Sequence, residues 1–364
     1  MVLTTILSIS LISVTLAGMI IIAEHLLNNY GDCSIDINKG EKILQVKGGS
    51  SLLSSLAGQG IFIPSACGGK ATCGLCKVQV LEGAGPLLPT EAPYLDQAER
   101  TAGYRLSCQV KVKQNLQILV PSELFNIQAY KTKIVKIDEL THDIKGLRLQ
   151  LLEPDRIRFK AGQYVQLYTK PYGKVKDSVF RAYSMASVPS DDQAVELIVR
   201  QVPEGICTTY VHQALNEGDE VRISGPYGDF YLRGNCEALI MIAGGSGLAP
   251  IRSLILDILE KGLPYKMTFF FGAVSLRDLY YLDFFKDLED RYDQFRFVPA
   301  LSKPDPADNW HGETGLITEV VARFVEDGSG KEAYLCGSPG MIQACLSVLQ
   351  KKGITEDKIF FDKF

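Results

Sequence analysis

Of the nine cysteines in the 364-residue chain, four constrain it most: Cys67, Cys73 and Cys76 share one loop, and Cys108 follows much later, giving C-x5-C-x2-C-x31-C. Three thiols from one tight loop and a fourth from a distant segment can hold two irons that share two sulfides. The loop runs Ala66-Cys67-Gly68-Gly69 and then Thr72-Cys73-Gly74-Leu75-Cys76. Its glycines allow φ > 0, so a closely wrapped backbone can turn its N–H groups toward the sulfurs. Zinc is the competing occupant of four cysteines, but it is usually held by two short C-x2-4-C knuckles, whereas three ligands share one loop here. The spacing therefore predicts a [2Fe-2S] cluster on Cys67, Cys73, Cys76 and Cys108. The odd cysteine total argues against a complete set of internal disulfides, and the cluster reading points to a reducing compartment.

The length suggests two or three domains. A formal net charge of −4 gives no electrostatic footprint for nucleic acid. From Leu3 to Ala23 there are 21 residues without a charge, and a helix of that length spans roughly 30 Å, the thickness of a bilayer's hydrocarbon. A cleaved signal peptide would want a basic start and a small-residue cleavage site, and neither is present. A cleaved signal peptide and a buried core helix are the two alternatives to a retained anchor. Lys39, Lys42 and Lys47 follow the run and favour that side as cytoplasmic.

Further along, alternation predicts strands over Ser34–Asn38 and Ile43–Val46, a helix over Ser51–Ala57, a strand over Lys77–Leu81, a polar helix over Thr90–Glu99, and a strand pair through Gln109–Val112 and Leu116–Val120. From Ala129 to Leu232, short β-branched runs alternate with Gly/Pro turns, the pattern of a small antiparallel barrel. Beyond Ala238 the period changes to alternating strands and helices, which implies a parallel sheet covered on both faces.

The segment Arg181-Ala-Tyr183-Ser184-Met-Ala-Ser187 reads Arg-x-Tyr-Ser-x-x-Ser, and in this the chain resembles the ferredoxin-NADP reductase superfamily. The resemblance implies FAD, with Arg181 on its pyrophosphate, Tyr183 packed on the isoalloxazine, Ser184 near N5 and Ser187 closing the motif. Gly205-Ile-Cys-Thr208-Thr209 stands where that family places a second pyrophosphate contact. Gly244-Gly245-Ser246-Gly247-Leu-Ala-Pro250 follows a buried apolar strand and opens a helix, as a dinucleotide's pyrophosphate requires. Cys336-Gly337 ends another such strand, at the edge where open α/β sheets bind ligands. By resemblance Cys336 lies beside the nicotinamide of NADH, and the terminal Phe364 covers the flavin ring until nicotinamide displaces it.

Taken together, Leu87-Leu-Pro-Thr-Glu91, Gly225-Pro-Tyr-Gly-Asp-Phe230, Pro306-Ala-Asp-Asn-Trp310 and the motifs above make the chain resemble the F subunits of sodium-translocating NADH:quinone reductases. The five-residue gap between the first two cysteines is the vertebrate-type ferredoxin variant. The resemblance implies a multidomain α+β and α/β protein: a transmembrane anchor (1–27), a β-grasp ferredoxin domain (32–125), a six-stranded antiparallel FAD-binding barrel (126–232) and a doubly wound NADH-binding domain (233–364). It further implies single-pass residence in the bacterial inner membrane, catalytic domains on the cytoplasmic side, and membrane subunits of a respiratory NADH:quinone reductase complex as partners. The reductase component of an oxygenase shares all three soluble modules and is the first alternative. An electron-transfer adaptor without NADH turnover is the second.

Overall fold

A computed structural model describes residues 10–19, 30–234 and 236–363. Two compact units meet in sequence between Ile127 and Gln128. Residues 10–19 form helix α1, on which Leu11, Ile12, Val14, Leu16 and Met19 are exposed. The ends of the expected span, toward Leu3 and toward Ala23, lie outside the described residues. No helix among the described residues is long and apolar enough to cross a membrane.

In the first unit, β1 (Asp32–Ile37) and β2 (Lys42–Lys47) pair antiparallel around Asn38, Lys39 and Gly40, all at positive φ. Helix α2 (Leu52–Gly58) is capped by the Ser51 hydroxyl, which accepts the Ser54 N–H, and buries Leu52, Leu53 and Leu56. With β3 (Lys77–Glu82), α3 (Gln97–Thr101), β4 (Tyr104–Leu106) and β5 (Leu116–Leu119), the strands form a sheet ordered β2-β1-β5-β3-β4, in which β1 and β5 run parallel.

Two expectations are corrected here. The helix expected over Thr90–Glu99 is a short 3-10 turn, Ala92–Tyr94, followed by α3, which starts behind an Asp96 and Glu99 capping box. Leu95 and Asp96 both take extended backbone, and Asp96 then caps α3, so the two helical pieces cannot be one continuous helix. Gln109–Val112 forms no strand and makes only an isolated bridge from Lys111 to Ser51. The strand beside β3 is β4 instead, and three residues are too few to declare a period.

The second unit begins with six strands: β6 (Gln128–Glu139), β7 (Ile144–Glu153), β8 (Tyr164–Tyr168), β9 (Phe180–Ser184), β10 (Ala194–Arg200) and β11 (Glu220–Tyr227). All neighbours are antiparallel in the order β10-β7-β6-β11-β8-β9. A bridge between Met185 and Leu197 brings the end of β9 to β10, so the barrel nearly closes. Alternate residues fill it, among them Val165, Leu167, Leu197, Val199 and Ile223, all fully buried. A short helix, α4 (Ile206–Thr209), follows β10.

The chain then builds β12 (Ala238–Gly244), α5 (Leu248–Glu260), β13 (Lys266–Ala273), α6 (Leu282–Arg291), β14 (Phe295–Leu301), β15 (Glu313–Thr314), α7 (Ile317–Phe324), β16 (Lys331–Gly337), α8 (Pro339–Lys351) and β17 (Ile359–Lys363). The sheet is wholly parallel, ordered β15-β14-β13-β12-β16-β17. Alternation along β12 sends Leu239, Met241 and Ala243 into a core with α5 and α6, and Ile240 and Ile242 into one with α7 and α8. Helices therefore cover both faces, and strand order reverses between β12 and β16. Ligands of such sheets bind beyond the strand ends at that reversal.

Candidate functional site

The pairing of β3 with β4 explains how a cysteine so distant in sequence reaches the loop. Cys76 immediately precedes β3, Cys108 lies just past β4, and the Ser107 N–H donates to the Cys76 carbonyl at 2.8 Å. Gly68, Gly69 and Gly74 all take positive φ. A side chain on Gly74 would come within 2.7 Å of the Tyr94 ring, so both backbone and space demand glycine there.

The four thiols meet as two pairs. Cys73 and Cys67 sulfurs lie 3.4 Å apart, and Cys76 shares a hydrogen bond with Cys108. The hydrogen bond from Cys73 pulls the Cys67 thiol far down, and that from Cys76 pulls Cys108 down to about 7, while each donor is pushed up. Two sulfurs to each metal fits a cluster of two irons.

In the barrel, Arg181 and Tyr183 alternate along β9 and Ser184 ends it. Arg181 makes no ion pair among the described residues; its Nη1 donates to the Phe180 carbonyl at 2.6 Å. The Tyr183 hydroxyl is buried without a hydrogen-bond partner among the described residues, and burial pushes its pKa far up. A buried phenol ordinarily finds a partner, so this orphan fits a bound group whose polar atom completes it. Ser187 is otherwise engaged: its hydroxyl accepts the Glu196 N–H at 3.1 Å. The Thr208 hydroxyl closes the turn before α4, donating to the Val202 and Gly205 carbonyls and accepting the Val202 N–H. Thr209 is half-buried in α4. At Gly205 a Cβ would meet the Thr208 hydroxyl at 2.5 Å.

At the sheet reversal, Gly244 ends β12, Gly245 takes φ 57 and Gly247 leads into α5, with Pro250 buried in the first turn. A Cβ on Gly247 would stand 2.3 Å from the Cys336 carbonyl oxygen, and one on Gly337 would stand 3.3 Å from the Gly244 oxygen. The glycine loop and the Cys336-Gly337 strand end are thus in backbone contact. Cys336 is fully buried, and burial followed by Asp362 holds its thiol well above the usual range. Burial, then Asp229, pushes the Asp362 carboxyl up to about 6. Phe364 lies outside the described residues.

Several contributors escape sequence reasoning. Tyr280 donates its hydroxyl to the Gly245 carbonyl at 2.8 Å. Arg200 donates Nε to Asp143 at 2.7 Å and brings Nη1 to 3.3 Å from the Cβ position of Gly245. Both come from segments remote in sequence, and no local motif announces them. Asp362 sits opposite Cys336 in the β16 to β17 register, where only the strand pairing reveals it. Asp278, by contrast, is legible in the sequence beside Ser275 and Arg277 after β13, and its carboxylate takes both the N–H and the hydroxyl of Ser275, at 2.9 and 2.8 Å.

Comparison with known proteins matches three family models along the chain. Residues 35–113 match the 2Fe-2S iron-sulfur cluster binding domain, 131–231 the oxidoreductase FAD-binding domain and 241–347 the oxidoreductase NAD-binding domain. The chain is 36% identical to the F subunit of the Na(+)-translocating NADH-quinone reductase of Histophilus somni, over 98% of this chain and 97% of that one. It is 35% identical to the corresponding F subunit from Klebsiella pneumoniae over the same shares. Among solved structures it is similar to the Amycolatopsis cytochrome P450 reductase GcoB, with TM-score 0.73 and 28% identity over 91% of this chain and 98% of that one. It is also similar to the ferredoxin reductase in carbazole 1,9a-dioxygenase, with TM-score 0.70 and 26% identity over 92% and 98%.

Proposed function

The chain belongs to the family of F subunits of Na(+)-translocating NADH-quinone reductases, and on that premise we propose that it oxidises NADH and passes the electrons through FAD to its own [2Fe-2S] cluster. FAD, when bound, accepts two electrons together and releases them one at a time, which a one-electron cluster requires. The chain's own residues bind, orient and exclude water. Gly244, Gly245, Gly247, Pro250 and Gly337 form the nucleotide cradle, and Cys336 backs the nicotinamide. Arg181 takes the flavin pyrophosphate, with Gly205, Thr208 and Thr209 as its second contact. Tyr183 and Ser184 face the isoalloxazine, Ser187 anchors the motif's end, and Phe364 covers the ring. Cys67, Cys73, Cys76 and Cys108 hold the cluster. The observation that carries the reading is the partnerless buried hydroxyl of Tyr183, on a barrel that packs against a glycine cradle.

The proposed modules are an anchor (1–27), the cluster domain (32–125), the FAD barrel (126–232) and the NADH domain (233–364). The anchor crosses the bacterial inner membrane once, leaves the catalytic modules cytoplasmic, and delivers electrons to membrane subunits of a quinone-reducing complex. Sodium translocation belongs to that complex.

Anaerobic addition of NADH to the purified protein should bleach the flavin and then produce a rhombic EPR signal. Cys73→Ala should abolish the signal while NADH-to-ferricyanide activity persists. Stoichiometric zinc without iron would refute the cluster, and a flavin that NADH leaves oxidised would refute the whole reading. A second reading, an oxygenase reductase, is favoured by the likeness to GcoB and the carbazole dioxygenase reductase. Copurification of membrane subunits from native membranes supports the first reading, and copurification of an oxygenase the second.

A further inference from the structure

One turn beyond the glycine cradle, helix α5 grips the barrel through two adjacent side chains. Arg252 Nη1 donates to the Ala186 carbonyl at 2.6 Å and to Glu196 Oε2 at 2.7 Å. The fully buried Ser253 hydroxyl donates to the Ser187 carbonyl at 2.6 Å. Ala186 and Ser187 belong to the segment that leaves β9 directly after Ser184. That segment is fixed in turn to β10, since the Ala186 N–H donates to the Glu196 carbonyl and Ser187 accepts the Glu196 N–H. Glu196 is braced from behind by Arg148 at 2.8 Å. The Arg252 guanidinium also lies 5.3 Å from the Tyr281 ring and 5.4 Å from that of Phe284, and Tyr281 is held at φ 58 where α6 begins.

The same helix thus meets the nucleotide at its start and the flavin strand's continuation in its next turn. A buried N–H without a partner carries a free-energy cost, and among the described residues Arg252 Nε is such a group. A side chain kept solely to hold two modules together would be better satisfied by a shorter, neutral donor. Both bonds to the barrel leave the single Nη1, and the planar guanidinium behind it lies near the Tyr281 and Phe284 rings, so a flat group set against two rings fixes an angle as well as a distance.

We propose that Arg252 is a positioning residue for hydride transfer: it sets the depth and angle at which the nucleotide-binding half presents nicotinamide to the flavin. The proposal rests on the NADH-to-FAD reading above. Arg252 touches neither reactant in this reading. It acts through α5 on one side and through Ala186 and Glu196 on the other, with Ser253 holding the same segment.

The test uses full-length, FAD-loaded protein mixed anaerobically with NADH while flavin bleaching is followed by stopped flow. Arg252→Lys keeps the charge for Glu196 but loses the planar group beside Tyr281 and Phe284, and Arg252→Gln keeps one polar contact without the charge. In both, the limiting rate of flavin reduction should fall on the order of 10- to 100-fold, as a misplacement of about 1 Å does. The half-saturating NADH concentration should move by less than about threefold, the signature of an interaction expressed in the chemical step. FAD content should stay at the level of the unaltered protein, and the charge-transfer absorbance between nicotinamide and flavin should weaken. Ser253→Ala should give a smaller fall in the same direction. A limiting rate within about twofold of the unaltered protein in the Lys variant overturns the proposal. A rate fall that tracks FAD loss overturns it too, because Arg252 would then only hold the fold. If the Gln variant fails to fold, the Lys variant decides. Failure of the unaltered protein to bleach with NADH would instead sink the functional reading, and this proposal with it.

Discussion

Glu91 has no exposed surface, yet it carries a carboxylate, and four donors account for it. Arg105 reaches it through Nη2 at 2.6 Å and Nε at 3.0 Å, and the Leu88 and Leu106 N–H groups at 3.0 and 2.9 Å. Arg105 directs its other donors to the Gly85 and Pro86 carbonyls, so the pair ties the loop before Leu87-Leu-Pro-Thr to the strand that delivers Cys108. Removing one charge of a buried pair strands the other and costs about 3–5 kcal/mol. Glu91→Gln should destabilise the cluster domain by that amount in denaturant titration and reduce its iron content; a loss below about 1 kcal/mol would show that the pair is expendable. The motif was legible as a family likeness, but Glu91's role was not, because its partner stands fourteen residues away and only the fold joins them. Nucleotide choice is also decided by single residues. Superfamily members that take NADPH hold its 2′-phosphate with a serine and basic groups after the second strand, by charge-assisted hydrogen bonds. Here Asp278 occupies the Ser275 hydroxyl and sits 3.9 Å from Arg277, so a phosphate would meet a carboxylate first. NADH should be preferred over NADPH in kcat/KM, and Asp278→Ser should narrow the preference by about tenfold, equivalent to ~1.4 kcal/mol. A native preference for NADPH would refute this assignment.

Elements that carry a local motif were readable in advance, and elements defined by their neighbours were not. The cysteine loop, the β9 strand and the β12-loop-α5 unit each hold their signal within about a dozen residues, and the helix expected to open at the glycine loop is present as Leu248–Glu260. By contrast β4 is three residues long and exists because β3 lies beside it, while the polar helix is split where Leu95 and Asp96 turn extended and Asp96 caps a new start. The glycine cradle shows where local and long-range demands coincide. Gly247 has an ordinary φ of −60, so its need for glycine arises from the Cys336 carbonyl at 2.3 Å from its Cβ position and not from its own backbone. Gly247→Ala must therefore push the β16 strand end away from the loop, an overpacking of about 1–3 kcal/mol concentrated on the cradle. The KM for NADH should rise by about tenfold or more, each tenfold corresponding to ~1.4 kcal/mol, while the flavin and cluster spectra stay unchanged. An unaltered KM would show that the cradle tolerates a wider gap.

For the molecule as a whole, the unmet physical demand lies in the apolar N-terminal run. Five large apolar side chains of α1 stand exposed, Val14 at 68% and Leu11 at 67%, and leaving such a stripe in water is unfavourable by about 25 cal/mol for each Å². On the anchor reading proposed above, a bilayer covers them, and a run of 21 uncharged residues has the length for it. Among the described residues no buried core residue precedes Cys33, so the core does not draw on that run. Deleting residues 2–23 should accordingly release a soluble protein that retains flavin and cluster and reduces ferricyanide with NADH at an undiminished rate. Quinone reduction in membranes should be lost, because the one-electron outlet then no longer stays beside its partner. Fractionation after an alkaline wash measures the first outcome, and quinone-dependent NADH oxidation in reconstituted membranes the second. A truncated protein that still pellets with the membrane would place the anchoring contact elsewhere on the chain, and one that still reduces quinone at the full rate would show that the outlet needs no tether.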